Sequence, residues 1–348
     1  MLKAISKRRL YMATRAFLAI VLVSSGANAV SAAENDAEAQ VARKIRETVE
    51  KIVLELTKDC PIGDPSDQSA FDRCRKSLFD DSALKQTLSP IVLWGRQSPD
   101  PNATLKETNL TQLSSEIVAG LYMPLFMFNG KFDLKYSPTE KLYLSVVGVG
   151  FRNRLPPGDF PYPFWQLPKK WTDYENATAL YVWVNPANRH VVSIEVSPHG
   201  EQVGGAPTAP NGRPAFDGLW MWTDEAGKTQ PVVTLFDGLF DDKNPYKADL
   251  EQSYRRFATS LREGQCLSCH VPSNPYGMKR LVLLQSPAHA AAEIKRILRN
   301  VREHRMPLDE LTGIETPLDP QLERTLLEQG AAFETIVDAA RSWEKASH

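Results

Sequence analysis

The chain has 348 residues, with 41 Lys and Arg against 42 Asp and Glu, for a formal net charge of −1. Charge this evenly balanced excludes the basic footprint of a nucleic-acid binder. A hydrophobic content of 42% supplies ample apolar surface for a packed core, and the length asks for two or three domains.

Residues 1–33 read as a secretory leader. Lys3, Lys7, Arg8, Arg9 and Arg15 precede the apolar run Ala16–Val23. The small residues Ala27-Asn28-Ala29 and Ser31-Ala32-Ala33 follow, so cleavage is expected after Ala29, Ala32 or Ala33. The apolar run is shorter than the roughly 18 residues of a membrane span, so no transmembrane anchor is expected after cleavage. Losing five positive charges leaves a net charge of about −6, which argues against a polybasic membrane patch and suits docking to a basic partner.

Residues 34–89 are expected to form a helical hairpin. Val41, Ile45, Val49, Ile52, Val53 and Leu56 form one stripe over Asp36–Lys58, and Gln68–Leu78 reads as a second helix. Pro61, Gly63 and Pro65 fill the loop between them. Cys60 and Cys74 are close in sequence, and in an oxidising compartment they are expected to form a structural disulfide. Closing a loop of about 15 residues contributes roughly 3 kcal/mol in the chain-entropy view.

Residues 90–243 change character. Leu142–Val149, Ala179–Val184, Val191–Val196, Leu219–Thr223 and Pro231–Phe236 read as strands, with hairpin turns at Asn185–Asn188 and Asp224–Gly227. This implies an antiparallel, β-rich domain of α+β type. Arg152 and Arg154 precede Phe160, Tyr162, Phe164, Trp165, Trp171 and Tyr174. These rings read first as packing along one sheet edge, and second as a site for an anion or organic ligand. Trp220 and Trp222 alternate onto one sheet face. His190 and His199 have no ligand partner at telling spacing. No Gly-X-Ser-X-Gly, His-Glu-X-X-His or phosphate loop occurs, so no catalytic residue is assigned.

Residues 244–348 contain three helical stretches: Asp249–Glu263, Ala288–Glu303 and Pro320–Lys345, the last capped by Asp319. Between the first two lies Cys266-Leu267-Ser268-Cys269-His270. This Cys-X-X-Cys-His run is the attachment signature of a c-type haem. Its spacing lets both thiols reach the two vinyl groups of one haem, and the next side chain meets the iron. A structural zinc site would need a second pair of Cys or His. A redox Cys pair would leave both the His and the leader unexplained. Covalent haem attachment takes place outside the bacterial inner membrane, so leader and motif together imply the periplasm.

This layout, a first helix running into the motif, a Met306-Pro307 loop and a terminal amphipathic helix, resembles a class I c-type cytochrome domain over about residues 244–348. The resemblance implies an all-α domain holding one haem c through Cys266 and Cys269. His270 would be the proximal iron ligand and Met306 the distal one. Phe257 and Trp343 would meet where the first and last helices cross. A thioether opposite an imidazole raises the potential and suits an electron carrier.

The residues themselves leave the sixth position open between Met306, a histidine (His289 or His304) and a vacancy, with Met278 too close to His270 to cross the ring. Asn274-Pro275 is the expected acceptor for the other nitrogen of His270. The whole reads as an α+β multidomain protein, a helical hairpin and an antiparallel β-rich domain followed by an all-α cytochrome c domain. Its expected role is to pass single electrons to a periplasmic redox protein or a membrane-bound redox complex, with the β-rich domain positioning a partner or ligand. The alternative is a haem-dependent oxidoreductase or a small-molecule or gas sensor with a labile or vacant sixth position.

Overall fold

The computed structural model describes residues 36–98, 100, 102–106, 110–155, 174, 177–197, 236, 238–270, 281–284, 287–309 and 311–347. The leader, the aromatic segment Phe160–Trp171, the strands around Trp220 and Trp222, His199, Asn274-Pro275 and Met278 lie outside them. The chain divides into two compact units, Met1–Thr48 and Val49–His348. Residues 36–59 are helical (α1). In the first unit, the Thr48 hydroxyl donates to the Lys44 carbonyl at 2.9 Å.

In the second unit, Val49, Ile52, Val53 and Leu56 are buried, as their helical spacing requires. Helix α2 (Gln68–Asp81) starts at Asp67, whose carboxylate accepts from the Ala70 amide at 3.0 Å. Cys60 and Cys74 are disulfide-bonded, with Cα atoms 4.9 Å apart. These two helical stretches are not a freestanding hairpin. After Ser82 the chain enters helix α3 (Ala83–Thr87) and then the first strand, while α2 packs on the helical turns at Val118–Leu125.

Among the described residues the sheet has six strands: β1 (Leu88–Arg96), β2 (Thr111–Ser114), β3 (Phe126–Ser137), β4 (Leu142–Phe151), β5 (Ala179–Val184) and β6 (Val191–Ser197). Their spatial order is β2-β1-β6-β5-β4-β3. The β1–β6 pair is parallel and every other pair is antiparallel. The sheet is therefore mixed, and the antiparallel expectation is corrected. Alternating burial fixes which face of a strand is covered and carries no information on a neighbour's direction. The hairpin at Asn185 forms as expected: the Asn185 amide donates to His190 O at 2.9 Å, and Arg189 takes φ 63°.

Between β2 and β3, one turn of helix α4 (Ser115–Ile117) tightens and relaxes through Val118–Leu125. Gly120 sits there against the backbone of Gly238. A Cβ on Gly120 would lie 1.8 Å from the Gly238 carbonyl oxygen, so only glycine permits this approach.

Four helices follow: α5 (Lys247–Glu263), α6 (Cys266–Cys269), α7 (Pro287–Arg302) and α8 (Pro320–Ser347). Asp319 caps α8, accepting from the Gln321 and Leu322 amides at 3.0 Å each. Helix α5 crosses α8 at Gly330, and Phe257 stacks on Phe333 with centroids 5.9 Å apart. The partner of Phe257 is thus Phe333 rather than the expected Trp343.

These helices do not form a separate all-α cytochrome c domain, and that expectation is corrected. Helix α7 packs on α8, β2 and α4, and Gln112 of β2 bridges in parallel to Val282. The physical reason lies in α7 itself. Ala288, His289, Ala290 and Ala291 are buried in succession, together with Ile294, Leu298 and Val301. The first turn of α7 is thus covered all round by α8, β2 and α4, and only its later turns keep a wet face at Lys295, Arg299 and Arg302, whereas a helix at the edge of an independent bundle would keep that face along its whole length.

Candidate functional site

Helix α5 ends at Gly264, and Gln265 takes a left-handed φ of 57°, which turns the chain into the short helix α6. Cys266 and Cys269 stand one turn apart on α6, both as free thiols. The His270 amide donates to the Cys266 carbonyl at 3.1 Å, closing that turn. Burial pushes the Cys266 thiol up to about 11, so it is protonated at neutral pH. This is the opposite of the low-pKa thiolate of a disulfide-exchange pair.

His270 is fixed through its ring. Nδ1 lies 2.7 Å from the Val282 carbonyl oxygen, so Nδ1 carries the proton and Nε2 keeps its lone pair. Burial pushes His270 below the usual histidine range, which holds the ring neutral, the form that can act as a ligand. Val282 in turn belongs to a strap, Leu281–Leu284, pinned at each end. The Gln112 amide of β2 donates to Leu281 O at 3.1 Å, Leu284 N donates to His270 O at 3.2 Å, and the Tyr254 hydroxyl donates to Leu284 O at 3.2 Å. The sheet edge thus holds the strap, and the strap holds the imidazole. Asn274-Pro275, the expected acceptor, lies outside the described residues, and Val282 fills that role.

Cys266, Cys269, His270 and Met306 all line one cavity of about 920 Å³, near the top of the roughly 300–1,000 Å³ range of small-molecule sites. Leu261, Val282, Leu284, Ile297 and Pro307 supply apolar wall. The structure places the other candidate ligands elsewhere. His289 is 2% exposed in the first turn of α7, its Nε2 3.3 Å from the Tyr122 hydroxyl. His304 lies on the surface, its Nδ1 3.8 Å from Glu323.

Sequence reasoning missed Glu293, Arg296 and Gln112, which line the same cavity. The signal available was Glu293, the one acidic residue of the helix, with Arg296 at i, i+3. Of the aromatic segment, Tyr174 is described: it accepts from Trp94 Nε1 at 3.1 Å and packs on Phe126 and Phe151. Arg152 is fully buried and Arg154 is exposed.

The expectation of an iron- and metal-binding chain needs correction. Among the described residues there is no group of three or more His, Cys, Asp or Glu able to hold a metal ion. The described residues therefore build no metal centre from side chains alone, and one imidazole and one thioether do not chelate a bare ion. Two free thiols, a neutral imidazole whose Nε2 carries no proton and a thioether around one cavity with both apolar and charged walls do suit a porphyrin, which brings its own four equatorial nitrogens, an apolar ring and polar edge groups. No described helix is long and apolar enough to cross a membrane. Comparison with known protein families, curated proteins and solved structures gives no match to this chain.

Proposed function

We propose that this chain is an exported one-electron carrier with a single haem c attached through Cys266 and Cys269. The observation that carries the reading is the anchored imidazole: His270 Nδ1 on the Val282 carbonyl, with both thiols and Met306 around the same cavity. Such a group, when bound, supplies an iron that accepts and returns one electron. The chain's own residues define how. Val282 fixes the tautomer and ring orientation of His270 and raises its basicity. Met306, in the same cavity wall, would hold the iron through a soft thioether, which favours the reduced state. Leu261, Leu284, Ile297 and Pro307 exclude water and keep the surroundings of low polarity, which disfavours the extra charge of the oxidised state. The sheet contributes by holding the Leu281–Leu284 strap through Gln112. Electrons pass to or from a periplasmic redox protein or a membrane-bound redox complex, the compartment following from the leader in residues 1–33.

The test is expression with haem-attachment machinery, followed by haem detection on a denaturing gel. The wild-type chain should keep its haem after denaturation. Cys266→Ser with Cys269→Ser should lose all covalent haem while keeping the Cys60–Cys74 disulfide. A double variant that retains covalent haem overturns the reading.

A further inference from the structure

The wall of the cavity that holds His270 carries charge that electron transfer alone does not use. Helix α7 contributes Glu293 and Arg296 to it. Glu293 is 5% exposed, and its Oε1 has no hydrogen-bond partner among the described residues. Its Oε2 lies 3.9 Å from Arg296 Nη1, beyond hydrogen-bond reach. Arg296 Nη1 also has no hydrogen-bond partner among the described residues, while its Nη2 donates to Gln112 Oε1 at 2.6 Å. The carboxyl is therefore held beside a guanidinium that is tied to the sheet, and the two are not locked together.

The charged, titratable and polar groups around Glu293 come from every element packed on α7. Arg296, Arg299 and His289 lie on its own helix, Glu116 on α4, Arg341 on α8 and Gln112 on β2, while His270, Glu303, Arg305 and Asp309 line the same cavity. Glu116 and Arg341 neutralise each other at 2.7 Å. His289 and His270 are held neutral by burial. Among the described residues, Arg296 is the charge that acts most strongly on Glu293, and burial outweighs it.

We propose that Glu293 is a proton-binding site coupled to the redox state of the cavity's iron. The inference rests on the electron-carrier reading and deepens it. On oxidation, one electron leaves for the redox partner and the Glu293 carboxyl releases one proton to water. On reduction, the electron returns and the carboxylate takes a proton back. The cause is electrostatic. Oxidation adds one positive charge to a low-dielectric cavity, and a carboxyl in its wall then favours the ionised form. Burial pushes the Glu293 carboxyl up to about 7, so the proton is available for exchange near neutral pH.

The sign follows. With the carboxyl more acidic in the oxidised state, the potential falls as pH rises between the oxidised-state and reduced-state pKa values. It is flat below and above that window. The steepest slope for one proton and one electron is about 59 mV per tenfold change in proton activity.

The experiment is a spectroelectrochemical titration of the haem-loaded protein from about pH 5 to pH 9, for the wild type and Glu293→Gln, with an indicator dye reporting proton release on oxidation in weak buffer. The wild type should show a falling potential around neutral pH and release close to one proton, and Glu293→Gln should lose both effects. The dye measurement on the wild type alone keeps the test decisive should the variant fold poorly. A haem-loaded wild type with a pH-independent potential, or a Glu293→Gln variant with the wild-type slope, overturns this inference alone. A chain that takes up no covalent haem overturns the electron-carrier reading, and this inference with it.

Discussion

Phe333→Ala is expected to lower stability by about 3–5 kcal/mol, the range for truncating a fully buried Phe. Phe333 is 0% exposed, and its ring centroid lies 5.9 Å from Phe257, 5.7 Å from Tyr254 and 6.3 Å from Phe236. It is the point where α5 and α8 bury each other, and truncation would leave a cavity among three other rings. Those rings are held by backbone that cannot simply close in. At Gly330, one turn earlier on α8, a Cβ would lie 3.0 Å from Phe257 Cε2 of α5 and 2.4 Å from Leu298 Cδ2 of α7, so side chains of both neighbours already fill the space beside α8. The consequence reaches the site, because Tyr254 both packs on Phe333 and donates to Leu284 O on the strap that holds Val282. Urea unfolding measures the loss. A change below about 1 kcal/mol, within the usual effect of a surface substitution, contradicts this packing.

Acid should destabilise the protein through His289. Burial alone pushes His289 down to about 3, and its Nδ1 has no hydrogen-bond partner among the described residues. Below about pH 6.5 the unfolded chain protonates this residue and the folded chain does not. The unfolded state then binds more protons, so its contribution to stability, complete above pH 6.5, drains away as pH falls towards 3. Across the full window the loss approaches about 5 kcal/mol. Glu293 and Glu195, both raised by burial to about 7, act in the opposite sense. Their carboxyls ionise more readily when unfolded, so they favour the fold as pH falls from 7 towards 4.5. The effect of His289 is therefore read as a difference between the wild type and His289→Gln, whose amide reaches the position of Nε2 beside Tyr122 without titrating. The two stability curves should converge as pH falls through the acid range, and parallel curves contradict the assignment.

The local elements were legible in the sequence to the extent that they depend on local physics. Ala179–Val184 and Val191–Ser197 alternate around a turn built on Asn185, and α8 announces itself through Asp319, Pro320 and a long apolar stripe. Assembly was less legible. Strand β1 contains Pro90, which argues against a central strand. In the structure, Pro90 is exposed, at the place where the β1–β6 register shifts between Leu88 and Leu93, so its missing amide breaks no ladder bond. The parallel neighbour of β1 is about a hundred residues away in sequence, and no local pattern encodes that pairing.

The same holds for the site. Cys266, Cys269 and His270 declare themselves by spacing, whereas Val282, Gln112, Glu293 and Arg296 reach the cavity through tertiary packing. A sheet edge that grips the strap beside His270 is the reason the terminal helices cannot be read as a bundle of their own. Residues such as His289 were ambiguous for a related reason. A histidine in a helix can point at a cofactor or into the core, and here Tyr122 and α4 decide for the core.

The most direct test of the account is the absorption spectrum of the exported, haem-loaded protein, reduced, with and without carbon monoxide. A carrier whose iron is held between His270 and Met306 should show a spectrum that carbon monoxide leaves unchanged, and Met306→Ala should then make it respond. Ready binding of carbon monoxide by the wild type would contradict a closed electron carrier and point to a cavity built for a reactant or a gas.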